Sequence, residues 1–186
     1  MKKVGVLSLQ GDFAAHGAAL ERAGAEPVYV REREQLDEVE GLIIPGGEST
    51  TMLKLLRYEN LLEALREFGR KKPVFGTCAG AILLAREVSH PEQESLGLMD
   101  IAVERNGYGR QLDSRVVKLA AGKKLGDVEA VFIRAPIIRR VGENVKVIAT
   151  YENDPVLVDD GRHLAATFHP ELTSDSRIHE LFLEKL

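Results

Sequence analysis

Pro73-Val74-Phe75-Gly76-Thr77-Cys78-Ala79-Gly80-Ala81-Ile82-Leu83-Leu84 is the stretch that decides the fold. An apolar strand runs straight into a helix with Gly-x-Cys-x-Gly at the junction, the pattern of a nucleophile elbow with cysteine in the place of serine. A turn that sharp strains the backbone of its central residue and brings strand and helix together, so the positions two away on either side must be small. Gly76 and Gly80 meet that demand. At the start of a helix the free N–H groups and the dipole favour negative charge, and the Ala79 amide can point at a developing oxyanion. A lone cysteine is more often a small buried hydrophobe; the flanking glycines reverse that expectation here.

Upstream, β-rich runs at residues 4–9, 27–30 and 41–44 precede the strand at 74–76, each followed by a turn or a helix. This alternation predicts a parallel sheet with helices on both faces. Residues 13–23 carry apolar side chains at helical spacing and stop at Gly24, and residues 52–68 read as one or two amphipathic helices ending at Gly69. Downstream, strand candidates follow one another at 101–103, 114–119, 130–133, 145–151, 155–158 and 163–168, separated by Gly and Asp-Gly turns. These predict antiparallel strands or hairpins that extend the sheet. A closing helix over 176–186 has Ser174 or Asp175 as its N-cap and turns Ile178, Leu181, Phe182 and Leu186 to the core.

The 186 residues suit one domain, 1–186, with no linker or repeat. Hydrophobic residues at 44% and charged residues at 29% are an ordinary globular balance, and no apolar run is long enough to span a membrane. Two lysines at the start do not make a signal peptide, because Ser8, Gln10, Gly11 and Asp12 break the apolar run at once. The net charge of −4 argues against a nucleic-acid partner. A single cysteine cannot form an internal disulfide, which points to a cytoplasmic location and leaves the thiol free for chemistry.

A thiol nucleophile needs a base, and His169 is the one histidine placed just beyond an apolar strand, in Ala165-Ala166-Thr167-Phe168-His169-Pro170-Glu171. Glu171 can accept the imidazole N–H, fix its tautomer and stabilise the imidazolium. His16, His90, His163 and His179 read as solvated or hydrogen-bonded background. No His, Cys, Asp and Glu grouping has metal-ligand spacing, and no cofactor is expected. The loop Pro45-Gly46-Gly47-Glu48-Ser49-Thr50 lacks the lysine and spacing of a phosphate-binding motif. Its glycines fit a second oxyanion-hole amide better than a nucleotide site.

Taken together, the chain resembles the class I, or triad, glutamine amidotransferases, and more closely the PdxT family, the glutaminase subunits of pyridoxal 5'-phosphate synthase. The resemblance spans nearly the whole chain. It is carried by Gly-Thr-Cys-Ala-Gly, His-Pro-Glu, Gly5-Val6-Leu7-Ser8-Leu9-Gln10-Gly11-Asp12, the Pro45 to Thr50 loop, Arg105-Asn106-Gly107-Tyr108-Gly109-Arg110-Gln111 and Phe132-Ile133-Arg134-Ala135-Pro136. It implies a three-layer, flavodoxin-like α/β fold and hydrolysis of L-glutamine to L-glutamate and ammonia through a thioester on Cys78, with His169 moving protons. It implies that Gly46, Gly47, Glu48, Arg105, Ile133 and Arg134 hold substrate, that Gly47 and Ala79 form the oxyanion hole, and that Gln10 couples that hole to partner docking. A synthase subunit in a large hetero-oligomer, the source of the sugar-phosphate chemistry, would receive the ammonia. Rival readings are a DJ-1/PfpI-type protein, which uses a similar cysteine elbow for other chemistry, a silent glutamine-sensing or partner-binding subunit, and a glutaminase serving another acceptor.

Overall fold

The computed structural model describes residues 1–106 and 114–186. Its chain runs through β1 (Lys3–Leu7), α1 (Phe13–Arg22), β2 (Glu26–Val30), a 3-10 helix (Arg33–Glu38), β3 (Gly41–Ile44), α2 (Ser49–Tyr58), α3 (Leu62–Lys71), β4 (Val74–Thr77) and α4 (Ala79–Leu84). The remainder comprises β5 (Ala85–Ser89), β6 (Met99–Glu104), β7 (Arg115–Ala120), α5 (Gly122–Leu125), β8 (Asp127–Phe132), β9 (Ile137–Val141), β10 (Lys146–Tyr151), β11 (Asp154–Asp159), β12 (Leu164–Ala166), a 3-10 turn (Pro170–Leu172) and α6 (Arg177–Leu183).

Seven strands form one sheet in the order β10-β11-β12-β4-β3-β1-β2. From β2 to β12 every pairing is parallel, and β11 and β10 add an antiparallel edge. Strands β3, β4 and β12 are buried along their whole length, which is why they read as unbroken apolar runs. Alternation along them feeds two cores. Leu42, Ile44 and Val74 pack with Met52, Leu56, Leu65 and Phe68 of α2 and α3, whereas Ile43 and Phe75 pack with Leu20 of α1 and Ile178 and Phe182 of α6. A sheet between two helical layers is therefore the expected mostly parallel α/β architecture.

The downstream half departs from expectation in its pairing. Only β10 and β11 extend the main sheet antiparallel, and β12 inserts parallel to β4. Strands β7 and β8 form a separate hairpin, and β6 joins β5 and β9 in a three-stranded sheet. Neither β5 nor β9 stands out in the sequence, because β5 follows α4 with no turn residue between them. The segment 52–68 resolves into two helices, broken where Asn60 takes φ 56. At the closing helix neither expected residue is the cap: Ser176 holds that position without a side-chain cap bond. Asp175 nevertheless contributes, its Oδ1 accepting from the Arg177 amide at 3.0 Å.

Candidate active site

Three adjacent parallel strands, β3, β4 and β12, end side by side, with Ile44 paired to Gly76 and Ala166 to Thr77. Ligand sites of open α/β sheets gather at such carboxyl ends. Here the ends deliver the Gly46-Gly47 loop, Cys78 and His169 to one place.

Cys78 stands between β4 and α4 at φ 51, ψ −109. A left-handed conformation at a residue with a Cβ costs on the order of 1–3 kcal/mol and persists only where its surroundings impose it. They do so here through the Cys78 amide, which donates to Ala166 O at 2.8 Å, and through close approach of helix and strands. A Cβ on Gly80 would lie 2.0 Å from Ile44 O, and one on Gly76 would lie 2.4 Å from Gly80 O. Both elbow glycines are thus required by contact. The Cys78 side chain is buried, with Sγ 3.9 Å from the carbonyl of Ile133. Ala79 opens α4 and carries one of the N–H groups that a helix start leaves without an intrahelical acceptor.

His169 follows β12, its amide donating to Val131 O at 2.8 Å. Pro170 then opens the 3-10 turn, which folds the Glu171 carboxylate back so that His169 Nδ1–H donates to Oε1 at 2.6 Å. With Nδ1 occupied, Nε2 is the ring nitrogen left free for the neighbouring thiol of Cys78. Burial alone would lower the His169 pKa, but the hydrogen bonds and charges of Cys78 and Glu171 outweigh it and raise the imidazole to about 10. A protonated imidazole beside sulfur is the arrangement that nucleophilic thiol chemistry uses.

Gly46 lies against both residues: a Cβ there would meet His169 Cε1 at 2.7 Å and Cys78 Cβ at 3.3 Å. Gly47, at φ 137, backs onto the Gln10 side chain, whose Oε1 accepts from the Glu48 amide at 3.1 Å. Glu48 caps α2, accepting from the Thr50 and Thr51 amides at 3.2 and 2.7 Å. Desolvation opposes its charge, yet those amides and the Thr51 and Thr50 hydroxyls hold its carboxyl below the usual range. Arg105 reaches the same loop, with Nη2 2.8 Å from Thr50 Oγ1 and 3.4 Å from Glu48 Oε1. Cys78, His169, Glu171, Gly46 and the Ile133 carbonyl therefore form one cluster, and Gly47, Glu48, Gln10 and Arg105 adjoin it through the loop. Arg134 has an exposed side chain and a left-handed backbone at φ 47. Of the motif at 105–111, residues 107–111 lie outside the described residues.

His16 and His179, read from sequence as background, are fully buried behind Glu171. His16 Nε2 lies 3.4 Å from Glu171 Oε2 and 3.1 Å from Thr77 Oγ1, and His16 Nδ1 lies 3.0 Å from His179 Nε2. No local pattern could have joined residues so far apart in the chain. Among the described residues no group of three His, Cys, Asp or Glu side chains is arranged to hold a metal, and no helix is long and apolar enough to cross a membrane.

A family model described as the SNO glutamine amidotransferase family matches residues 6–186. The chain belongs to that family. A pyridoxal 5'-phosphate synthase subunit PdxT from Solibacter usitatus is 68% identical over the full length of both chains. A PdxT subunit from Koribacter versatilis is 56% identical, covering 98% of this chain and 94% of its own. Among solved structures, a crystal structure of a glutamine amidotransferase superposes with a TM-score of 0.92 at 49% identity, covering 98% of this chain and 97% of the other. Membership of the glutamine amidotransferases, and within them the likeness to PdxT chains, places the cysteine elbow away from the DJ-1/PfpI-type reading.

Proposed function

We propose that this family member hydrolyses the side-chain amide of L-glutamine and hands the ammonia to a pyridoxal 5'-phosphate synthase subunit, with residues 1–186 acting as one glutaminase domain. The observation that supports the chemistry most directly is the arrangement of Cys78 in a strained elbow, beside an imidazole that Glu171 holds by Nδ1.

In this reading the sulfur of Cys78 attacks the carboxamide carbon, and the amides of Ala79 and Gly47 receive the charge that develops on oxygen. His169 gives its proton to the departing nitrogen, the C–N bond breaks, and ammonia leaves a thioester on Cys78. Water then attacks the thioester while His169 takes its proton, the C–S bond breaks, and glutamate departs with the thiol restored. Glu171 keeps the imidazole in the tautomer that presents Nε2 to sulfur. Arg105, a planar cation suited to a carboxylate, would hold the substrate with Gly46, Gly47, Glu48, Ile133 and Arg134. Gln10, already bonded to the Glu48 amide, would link partner docking to the orientation of Gly47. A reducing, cytoplasmic setting suits a lone nucleophilic thiol.

The choice of acceptor draws its support from the PdxT relatives. The test is glutamate release from glutamine by the purified chain, alone and with a pyridoxal 5'-phosphate synthase subunit. Hydrolysis that rises on addition, with pyridoxal 5'-phosphate formed from a pentose phosphate and a triose phosphate, is the expected result; hydrolysis indifferent to that subunit would point to another acceptor, and none in either case would overturn the reading.

A further inference from the structure

Behind the candidate triad lies a group of buried polar side chains to which the chemistry above assigns no part. Glu171 makes one close contact, to His169 at 2.6 Å, while its second oxygen, Oε2, is buried with no hydrogen bond of good geometry. An ionised carboxylate oxygen left so is costly unless a donor faces it. The nitrogen that faces it is His16 Nε2 at 3.4 Å, which also lies 3.1 Å from Thr77 Oγ1, on the residue preceding Cys78.

Two proton arrangements are open to the pair His16 and His179. If His16 carries its proton on Nδ1 and donates to His179 Nε2, then His179 Nδ1–H is a buried donor without a partner, and Glu171 Oε2 faces a lone pair. If instead His179 Nε2–H donates to His16 Nδ1, His16 carries its proton on Nε2, which is hydrogen-bonded to Thr77 Oγ1 at 3.1 Å and lies 3.4 Å from Glu171 Oε2. The orphan ring nitrogen is then an unprotonated His179 Nδ1, a neutral acceptor that is cheaper to leave unpaired than a buried N–H, and Glu171 Oε2 faces a donor rather than a lone pair. Packing holds the pair in place: the His179 ring lies edge-on to Phe75, with centroids 5.9 Å apart, and both histidines are wholly buried between α1, α6 and β4.

We propose that His16 is a positioning residue for the triad: its Nε2–H holds Glu171 Oε2, so that Oε1 stays aimed at His169 Nδ1, and His179 fixes the tautomer of His16 that does this. The inference rests on the triad reading of Cys78, His169 and Glu171. It gives His16 no contact with substrate. Neutral rings fit the role, since burial, with the neighbouring His179 and His169, keeps His16 well below the ordinary histidine range.

Two substitutions of similar polarity separate positioning from packing. In His16→Gln the side-chain amide reaches where Nε2 stood and can still donate to Glu171; in His16→Asn it reaches only as far as Nδ1 and cannot. With the synthase subunit present, His16→Asn is expected to lower kcat for glutamine hydrolysis about 10- to 100-fold with little change in KM, the scale of a small misplacement of a reacting group. His16→Gln should stay within about threefold of the parent, and adding His16→Asn to Glu171→Gln should cost less than about twofold more, because groups that act as a unit are not additive. Equal losses in the Gln and Asn variants, a parent-like kcat in His16→Asn, or a full additional loss in the double variant would each overturn the inference. Parent-like turnover in Glu171→Gln alone would show that the triad reading itself had failed.

Discussion

Cys78 carries two demands at once, a left-handed backbone at φ 51 and a sulfur within reach of His169. The first is a matter of stability and the second of chemistry, so substitution should separate them. Cys78→Ala removes the sulfur but keeps a Cβ and the same backbone strain. Glutamine hydrolysis should fall by about 10⁴-fold or more, as expected when one member of a nucleophile and base unit is lost. The thermal midpoint and association with a synthase subunit should be unchanged; hydrolysis at the parent rate would remove Cys78 from the chemistry. His169→Asn should cost nearly as much, since a thiol without its base is left without the imidazolium that Glu171 supports. Glu48 shows how one residue can serve two ends. Its carboxylate caps α2 and lies beside Arg105, so Glu48→Ala should lose about 1 kcal/mol of stability in denaturant titration from the cap alone and should raise KM for glutamine if the loop holds substrate.

At the scale of elements, the site depends on how closely α4 sits against β3 and β4. A Cβ on Gly80 would be only 2.0 Å from the Ile44 carbonyl, a backbone atom that cannot swing away as a side chain can. Gly80→Ala should therefore push the helix off the sheet, costing about 1–3 kcal/mol as an overpacked contact does and displacing the Cys78 sulfur from His169. A lower urea midpoint together with reduced hydrolysis is expected, and a parent-like midpoint would mean that the helix can shift freely. This element was legible in the sequence because its constraints are local: the glycines, the strand and the helix lie within twelve residues, and apolar runs mark buried strands. His-Pro-Glu was legible for the same reason, since one 3-10 turn brings carboxylate to imidazole. Strands β5 and β9 were not, because their pairing with β6 comes from tertiary contact and no turn residue separates β5 from α4. His16 and His179 are not legible in the sequence, because only the packing of α1 against α6 brings them together.

For the whole molecule, four histidines pull stability in opposite directions with pH. Burial, aided by the Arg22 charge, lowers His179 to about 3, and burial likewise holds His16 well below, and His163 below, the ordinary value. Below about pH 6.5 the unfolded chain binds protons on these three rings more readily than the fold does, so stability should decline as pH falls, by up to about 1.4 kcal/mol per pH unit for each histidine. His169 has the opposite sign. Its pKa is raised to about 10, so its contribution is fully present below the unfolded value near 6.5 and is lost as pH rises through 10. Stability should thus peak near neutral pH and fall on both sides, as measured by denaturant midpoints at pH 5, 6.5 and 9. Substitution assigns the limbs. His179→Phe should reduce the acid slope by about one proton and spare the alkaline limb, whereas His169→Asn should flatten the alkaline limb and spare the acid one. An acid slope unchanged in His179→Phe would mean that other titrating groups, not the His179 ring, set the acid limb, and that His179 is not held neutral by the fold.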